Sequence, residues 1–223
     1  MVLQIRIMWI KLLVLSLFVG INFGAIAQKD PKAKEVLESV SEKYQSLNGL
    51  TATFEYTYSN AQDAESQANT GEVTIKGDKY KLVLDDQEIY NNGKTVWTYI
   101  KSDSFKEVTI NSVDEDMEEL TPSNIYNIYK KGYNYNLIGE KSQNGTVIQE
   151  ILLTAENPKS QFQKIKLLVN KANKNLMGWE IADDMGGIFS YKFKEIDTEV
   201  NVPDNHFEFD AEKHPDVEII DLR

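Results

Sequence analysis

NNGKTVWTYIKSDSFKEVTI, Asn91 to Ile110, reads as a tight turn, an aromatic-rich strand, a polar turn and a second strand. Asn92-Gly93 supplies the first turn, because glycine tolerates positive φ and a short asparagine side chain bonds to its own backbone. A period of two then runs through TVWTYI and FKEVTI. Neither face of TVWTYI is plainly polar: Val96, Thr98 and Ile100 share one, and Thr95, Trp97 and Tyr99 the other. A sheet covered on one side needs only one apolar face. One face packs as structure and the second is left for another purpose, and alternation leaves open which of Val96 and Trp97 points which way.

The same period extends outward in both directions. Upstream, TATFEYTY places Phe54, Tyr56 and Tyr58 on one face, and GEVTIK, YKLVL and EIY follow, separated by Gly77-Asp78 and Asp85-Asp86. Downstream, TVIQEILLT, FQKIKLLVN, LMGWEIA, GIFSYKFKEI and HFEF continue the series, with turns at Asn144-Gly145 and Gly186-Gly187. About ten or eleven strands in a continuous antiparallel meander are expected, with no βαβ signal.

Two helices interrupt the strands. Asp30-Pro31 caps the first, in which Val36, Leu37, Val40, Tyr44 and Leu47 form one stripe before Asn48-Gly49. The second is short: Thr121-Pro122 opens it, Ile125, Tyr126, Ile128 and Tyr129 form its apolar stripe, and Gly132 ends it. Mainly β (α+β) architecture in one domain, residues 28–223, is the reading.

Residues 1–27 are read as a cleaved signal peptide. Arg6 and Lys11 precede and flank an apolar run that ends in Ala25-Ile26-Ala27, with cleavage after Ala27. Removing those two cations leaves 22 against 35 acids, a net charge of −13. Such a chain is repelled by nucleic acid and by anionic membrane surfaces. It holds no cysteine, which removes thiol catalysis, thiolate metal sites and lipid attachment to a cysteine. A soluble exported monomer, not embedded in a membrane, is expected.

No catalytic motif stands out. The chain lacks G-x-S-x-G, H-E-x-x-H, P-loop and G-x-G-x-x-G patterns. His206 and His214 read as surface residues, and the acidic run from Asp114 to Glu119 lacks the glycine and ligand spacing of a calcium loop. Asp85-Asp86 and Asp183-Asp184 sit where turns are needed, and Asn144-Gly145-Thr146 reads as a hairpin although it matches a glycosylation sequon. No metal, cofactor or catalytic residue is expected. What remains is an apolar excess over Phe54, Tyr56, Val73, Ile75, Tyr80, Leu82, Trp97 and Tyr99, more than two helices can cover. A curved sheet with a concave cavity for a greasy ligand accounts for it.

The order of these segments resembles the periplasmic outer-membrane lipoprotein carrier family, LolA. That family's centre reads D-G-K-T-x-W-x-Y followed by a strand and a T/S-P-opened helix. Here the counterparts are Asn92-Gly93-Lys94-Thr95, Trp97 and Tyr99, and then Thr121-Pro122. The resemblance runs from about Lys32 to Ile220. It implies an incompletely closed antiparallel β-barrel with helices over its concave mouth and no enzymatic activity. It further implies a periplasmic chaperone that carries lipoprotein acyl chains from an inner-membrane lipoprotein-releasing complex to an outer-membrane receptor. The eight residues named above would line the cavity, and Ile125, Tyr126, Ile128 and Tyr129 would form the lid. The family often carries K-R-P after the strand read here as VTIK, with the arginine holding the lid shut; this chain has Lys76-Gly77-Asp78 instead. Carriage of a free lipid on the same fold, and an exported hydrolase, are the competing readings.

Overall fold

The computed structural model describes residues 29–60, 67–102, 104–113, 120–182 and 186–223. The stretch read as a signal peptide, the acidic run at 114–119 and Asp183-Asp184 therefore lie outside the described residues. Helix α1 spans Pro31–Gln45, with proline at its start and the Asp30 carboxylate accepting from Lys32 N at 2.9 Å. Its predicted stripe is buried: Val36, Leu37, Val40 and Tyr44 join Ala33 in the core.

Twelve strands follow: β1 (Leu50–Ser59), β2 (Asn69–Lys76), β3 (Lys79–Val83), β4 (Gln87–Asn91), β5 (Thr95–Lys101), β6 (Lys106–Ser112), β7 (Tyr133–Gln143), β8 (Thr146–Ala155), β9 (Lys164–Asn170), β10 (Leu176–Ala182), β11 (Ile188–Asp197) and β12 (Glu218–Asp221). They form one sheet in the order β12-β6-β5-β4-β3-β2-β1-β11-β10-β9-β8-β7. Two antiparallel meanders, β1 to β6 and β7 to β11, thus join through the pairing of β1 with β11. The sheet curls around α1 without closing, and β7 and β12 are its two ends among the described residues. The edge at β7 is partly covered by the helix start: Asp30 N donates to Tyr135 O at 3.0 Å, and Leu137 N donates to the Asp30 carboxylate at 3.1 Å. These backbone donors hold the Asp30 carboxyl below its usual range.

The turn that opened the sequence is built by its asparagines. Asn91 Oδ1 accepts from Gly93 N at 2.7 Å, and Asn92 Oδ1 accepts from Lys94 N and Thr95 N, both at 3.0 Å. Gly93 takes φ +88. The Asn144-Gly145 hairpin has positive φ at both residues, as a two-residue connection of right-twisted strands requires.

Four expectations change. Thr121 to Lys131 is no α-helix but a run of turns ending in a 3-10 turn at Ile128–Lys130, because its backbone bonds close mainly over three residues (Asn127 N to Asn124 O, 2.8 Å) and Asn124 Oδ1 takes Thr121 N at 2.9 Å. Directly after Gly132, YNYNL opens β7, a strand absent from the expected series. HFEF is not a strand: Asp204–Phe207 is a 3-10 turn that drives Phe207 to 0% exposure. The twelfth strand, β12, pairs in parallel with β6, which a meander of hairpins does not anticipate.

Candidate functional site

Register decides which side chains face α1. Across β1 to β5 the row Ala52, Val73, Leu82, Ile89 and Thr98 runs along the inner face, and the next row is Leu50, Ile75, Tyr80, Asn91 and Val96. Both rows turn polar toward β5 and β6, where Thr98 meets Thr109 and Val96 meets Asn111. The apolar inner surface is therefore concentrated on β1 to β4 and on β8 to β11 opposite.

Trp97 and Tyr99 lie on the other face, a correction to their expected place in the lining. Tyr99 is 4% exposed because the C-terminal segment crosses the outer surface: its ring lies 5.2 Å from Phe209 and 4.9 Å from His214. Trp97 pairs across strands with Tyr90 and Ile110 on that same face, and Tyr90 lies 5.9 Å from Phe209. Asn92 Nδ2 donates to Glu208 Oε1 at 3.0 Å, so the motif hairpin anchors this segment. Beneath it Lys101 (3.2 Å) and the Tyr90 hydroxyl hold Glu88. Burial alone would raise the Glu88 pKa, but those two partners bring it below the ordinary value.

The inner face holds a cavity of about 120 Å³ beneath the start of the turn-rich strap, residues 120–132. Phe54, Val73 and Leu82 line it, together with Ile125 of the strap and Leu120, Thr121, Pro122, Trp179 and Tyr191. Among the described residues, no charged side chain belongs to this lining. Its aromatic wall is tight: Trp179 stacks on Tyr191 at 5.2 Å, Tyr56 on Tyr191 at 6.4 Å, and Phe54 meets Tyr191 at 6.1 Å. Burial, with a smaller contribution from Tyr56, pushes the Tyr191 phenol up, so it stays neutral. Gly71 lets the Phe54 ring lie flat across β2, since a Cβ there would meet Phe54 Cε2 at 2.7 Å. Tyr56 is half-buried at the edge of this wall, and Tyr80 is buried in the core beside it.

Sequence alone does not single out Trp179 and Tyr191, because their strands alternate like any others; only the pairing of β11 with β1, distant in sequence, sets them opposite Tyr56 and Phe54. A second, more polar cavity of about 180 Å³ lies beyond Tyr126, lined by Ile75, Tyr44, Leu50, Asp78 and Asn127 among others. Ile128 and Tyr129 face neither cavity and are buried in the core, where Tyr129 meets Tyr135 edge-on at 5.8 Å. Of the four strap residues expected to form a lid, Ile125 lines the apolar cavity, Tyr126 lines the second cavity, and Ile128 and Tyr129 are buried in the core.

The strap is bound to α1. Ser41 Oγ donates to Asn127 Oδ1 at 2.6 Å, Gln45 Nε2 to the same oxygen at 3.2 Å, and Lys130 Nζ to both Asn127 Oδ1 (3.0 Å) and Ser41 Oγ (2.9 Å). Tyr126 stacks on Tyr44 at 5.5 Å beside this cluster. Toward the Lys76-Gly77-Asp78 turn, Ser123 Oγ donates to Asp78 O over a longer 3.4 Å. Its lysine faces away: Lys76 and Lys79 each lie 2.9 Å from Asp204, whose carboxyl they pull down to about 2. The strap in this chain is thus held from the helix.

Comparison with known proteins agrees with this geometry. The family model for outer membrane lipoprotein carrier protein LolA matches residues 45–210, more than half of the chain. The outer-membrane lipoprotein carrier protein of Legionella pneumophila (strain Lens) is 24% identical over 199 residues, covering 82% of this chain and 88% of that protein. An uncharacterized conserved protein of Thermus thermophilus shares the fold with a TM-score of 0.57 at 14% identity, over 85% of this chain and 99% of its own. A LolA superfamily protein of Nitrosomonas europaea gives 0.43 at 14% identity, over 80% and 98%. With the family's pattern running from the end of α1 through the sheet to the C-terminal segment that closes its outer face, the chain belongs to the LolA family of outer membrane lipoprotein carrier proteins.

Proposed function

We propose that this protein is a non-enzymatic periplasmic carrier that takes up lipoprotein acyl chains beneath the strap and conveys them from the inner to the outer membrane. The observation that carries this reading is the uncharged, aromatic-walled cavity at the junction of the two meanders, covered by a strap with its own polar fastening. An acyl chain left in water costs about 0.8 kcal/mol for each methylene, so a multiply acylated polypeptide needs a shield to cross an aqueous space. Apolar contact without directional bonds shelters such chains and still lets them go. The loading partner would be the inner-membrane releasing complex and the acceptor an outer-membrane receptor, with export directed by the leader read at residues 1–27.

The cavity of about 120 Å³ is smaller than the roughly 300–1,000 Å³ of sites that enclose a drug-sized ligand. Loading therefore requires the front of the strap, residues 120–126, to lift. Ile128 and Tyr129, buried at 1% and 5% exposure, keep its rear in place. Asn127 sits between the two parts and is the fastening. Asn127→Ala should cost the closed form about 1 kcal/mol and tighten apparent binding of an acyl probe about five-fold, by raising the open fraction. Fluorescence titration with a dansylated fatty acid measures this, and unchanged affinity would show that the fastening does not control entry.

The cargo is tested by native mass spectrometry of protein purified from the periplasm. Adducts with the masses of lipoproteins are expected. A lone phospholipid or pigment in their place would replace lipoprotein carriage with free-lipid carriage.

A further inference from the structure

We propose that a long alkyl chain seated in the cavity continues along β1 and β11 into a second apolar subsite formed by Phe162, Ile181 and Phe189. The inference rests on the carrier reading and says where the rest of the chain lies. Beneath the strap there is too little room for a whole lipid tail, and inward from Phe54 the way is closed, since Leu50, Val40 and Tyr44 are buried there. Among the described residues, exposure increases in the opposite direction.

In that direction the inner face of β1 and β11 is an aromatic ladder set by register. Phe54 pairs with Phe193, Tyr56 with Tyr191, and Tyr58 with Phe189. The Tyr58 and Phe189 rings lie 4.5 Å apart, the shortest ring separation in the series. At about 3.4 Å per residue, Phe54 to Tyr58 covers about 14 Å. Exposure rises along it, from 4% at Phe54 to 38% at Phe189. Neighbouring β10 repeats the pattern, with Trp179 beside Tyr191 and Ile181 beside Phe189.

The ladder ends at a groove of about 540 Å³, between Ile181 and Phe189 on one side and the Pro158–Gln163 loop on the other. Phe162 is fixed in that loop, because its carbonyl accepts from the Tyr133 hydroxyl at 2.9 Å and Gln163 Nε2 donates to the Ser160 and Asn157 carbonyls. On one face of β10 and β11, Ile181 and Phe189 of the groove follow Trp179 and Tyr191 of the cavity at the next same-face positions, which points to the chain that fills the cavity as the occupant. Lys159, Gln161 and Gln163 at the rim leave the polar end of the chain in water there.

Chain length separates this arrangement from others. The mature protein and its Phe189→Ser variant are titrated with decanoate and with palmitate. Decanoate, which occupies the cavity alone, should bind both proteins equally, whereas palmitate should bind the variant about ten-fold more weakly through lost methylene contacts. Ile219→Ser, at a 52%-exposed apolar position on the far edge strand, should leave both affinities unchanged. An equal loss for both chains, or no loss for either, overturns the second subsite while the carrier reading stands. A change of oligomeric state in Phe189→Ser with no change in chain-length preference makes the patch a contact between copies of the protein and also overturns it. Failure of the unmutated protein to bind either fatty acid overturns both.

Discussion

Leu82→Glu is expected to weaken palmitate binding by at least about a hundred-fold while the protein still folds. Leu82 lies between Val73 and Ile89 across the strands and faces the cavity wall formed by Phe54, Trp179 and Tyr191. It is half-buried in the unloaded protein, so a carboxylate there stays hydrated until an alkyl chain displaces its water. Loading then strands a charge in a lining that offers no cation, at a cost of several kcal/mol, of which about 2.7 kcal/mol corresponds to the hundred-fold loss. Trp179 reports the event, since it stacks on Tyr191 within the lining. In protein lacking residues 1–27, and with them Trp9, a Trp97→Phe background leaves Trp179 as the remaining tryptophan, and its emission is followed on titration. Unchanged affinity in a variant with native circular dichroism would show that chains do not enter against Leu82. Leu82→Met should bind like the parent.

The second large effect is on stability. Gly178→Ala should lower the folded state by about 3 kcal/mol, because overpacking and a disallowed backbone conformation act together. For a chain of this size that lowers Tm by roughly 6–12 °C. Gly178 has φ +157, and an added Cβ would overlap the carbonyl oxygen of Tyr191 and come within 3.2 Å of Lys192 Cα. The residue also sits at a bulge where the register between β10 and β9 shifts, between Leu176 and Gly178. That bulge re-aims β10 so that Trp179 lies flat on Tyr191, and backbone geometry thereby sets the cavity wall. Gly132→Ala is the matched control: φ is +72 but nothing lies within 4 Å of the added Cβ. It should cost only the left-handed penalty of about 1 kcal/mol. Thermal unfolding followed by circular dichroism compares the two, and equal losses would rule out close approach to Tyr191 as the cause.

These effects fall at positions of unequal legibility. The inward direction of Phe54, Val73, Ile75 and Leu82 follows from alternation, since their strands carry threonine, lysine or glutamate on the opposite face. Trp97 and Tyr99 cannot be assigned in that way, because neither face of β5 is plainly polar in sequence. The cover over Tyr99, formed by Phe209 and His214, comes from more than a hundred residues further along the chain. In the strap, the spacing of Ile125, Tyr126, Ile128 and Tyr129 suggests a helix, and all four are buried although no α-helix forms. Asparagines at 124 and 127 bond to backbone and to α1 instead of continuing a helix.

Short-range chemistry was legible from the residues alone: the Asp30-Pro31 start of α1, the Asn-Gly and Asx turns, the two-residue period of the strands and the family pattern around Trp97. Each depends on residues a few positions apart, whose backbone preferences and side-chain spacing act without the rest of the chain. Long-range packing set the rest: β11 beside β1, the C-terminal segment on the outer face, and Trp179 and Tyr191 in the cavity wall. Those outcomes depend on which of several equally apolar surfaces meet after the sheet has curled, and burial is non-directional, so it leaves no mark on local order.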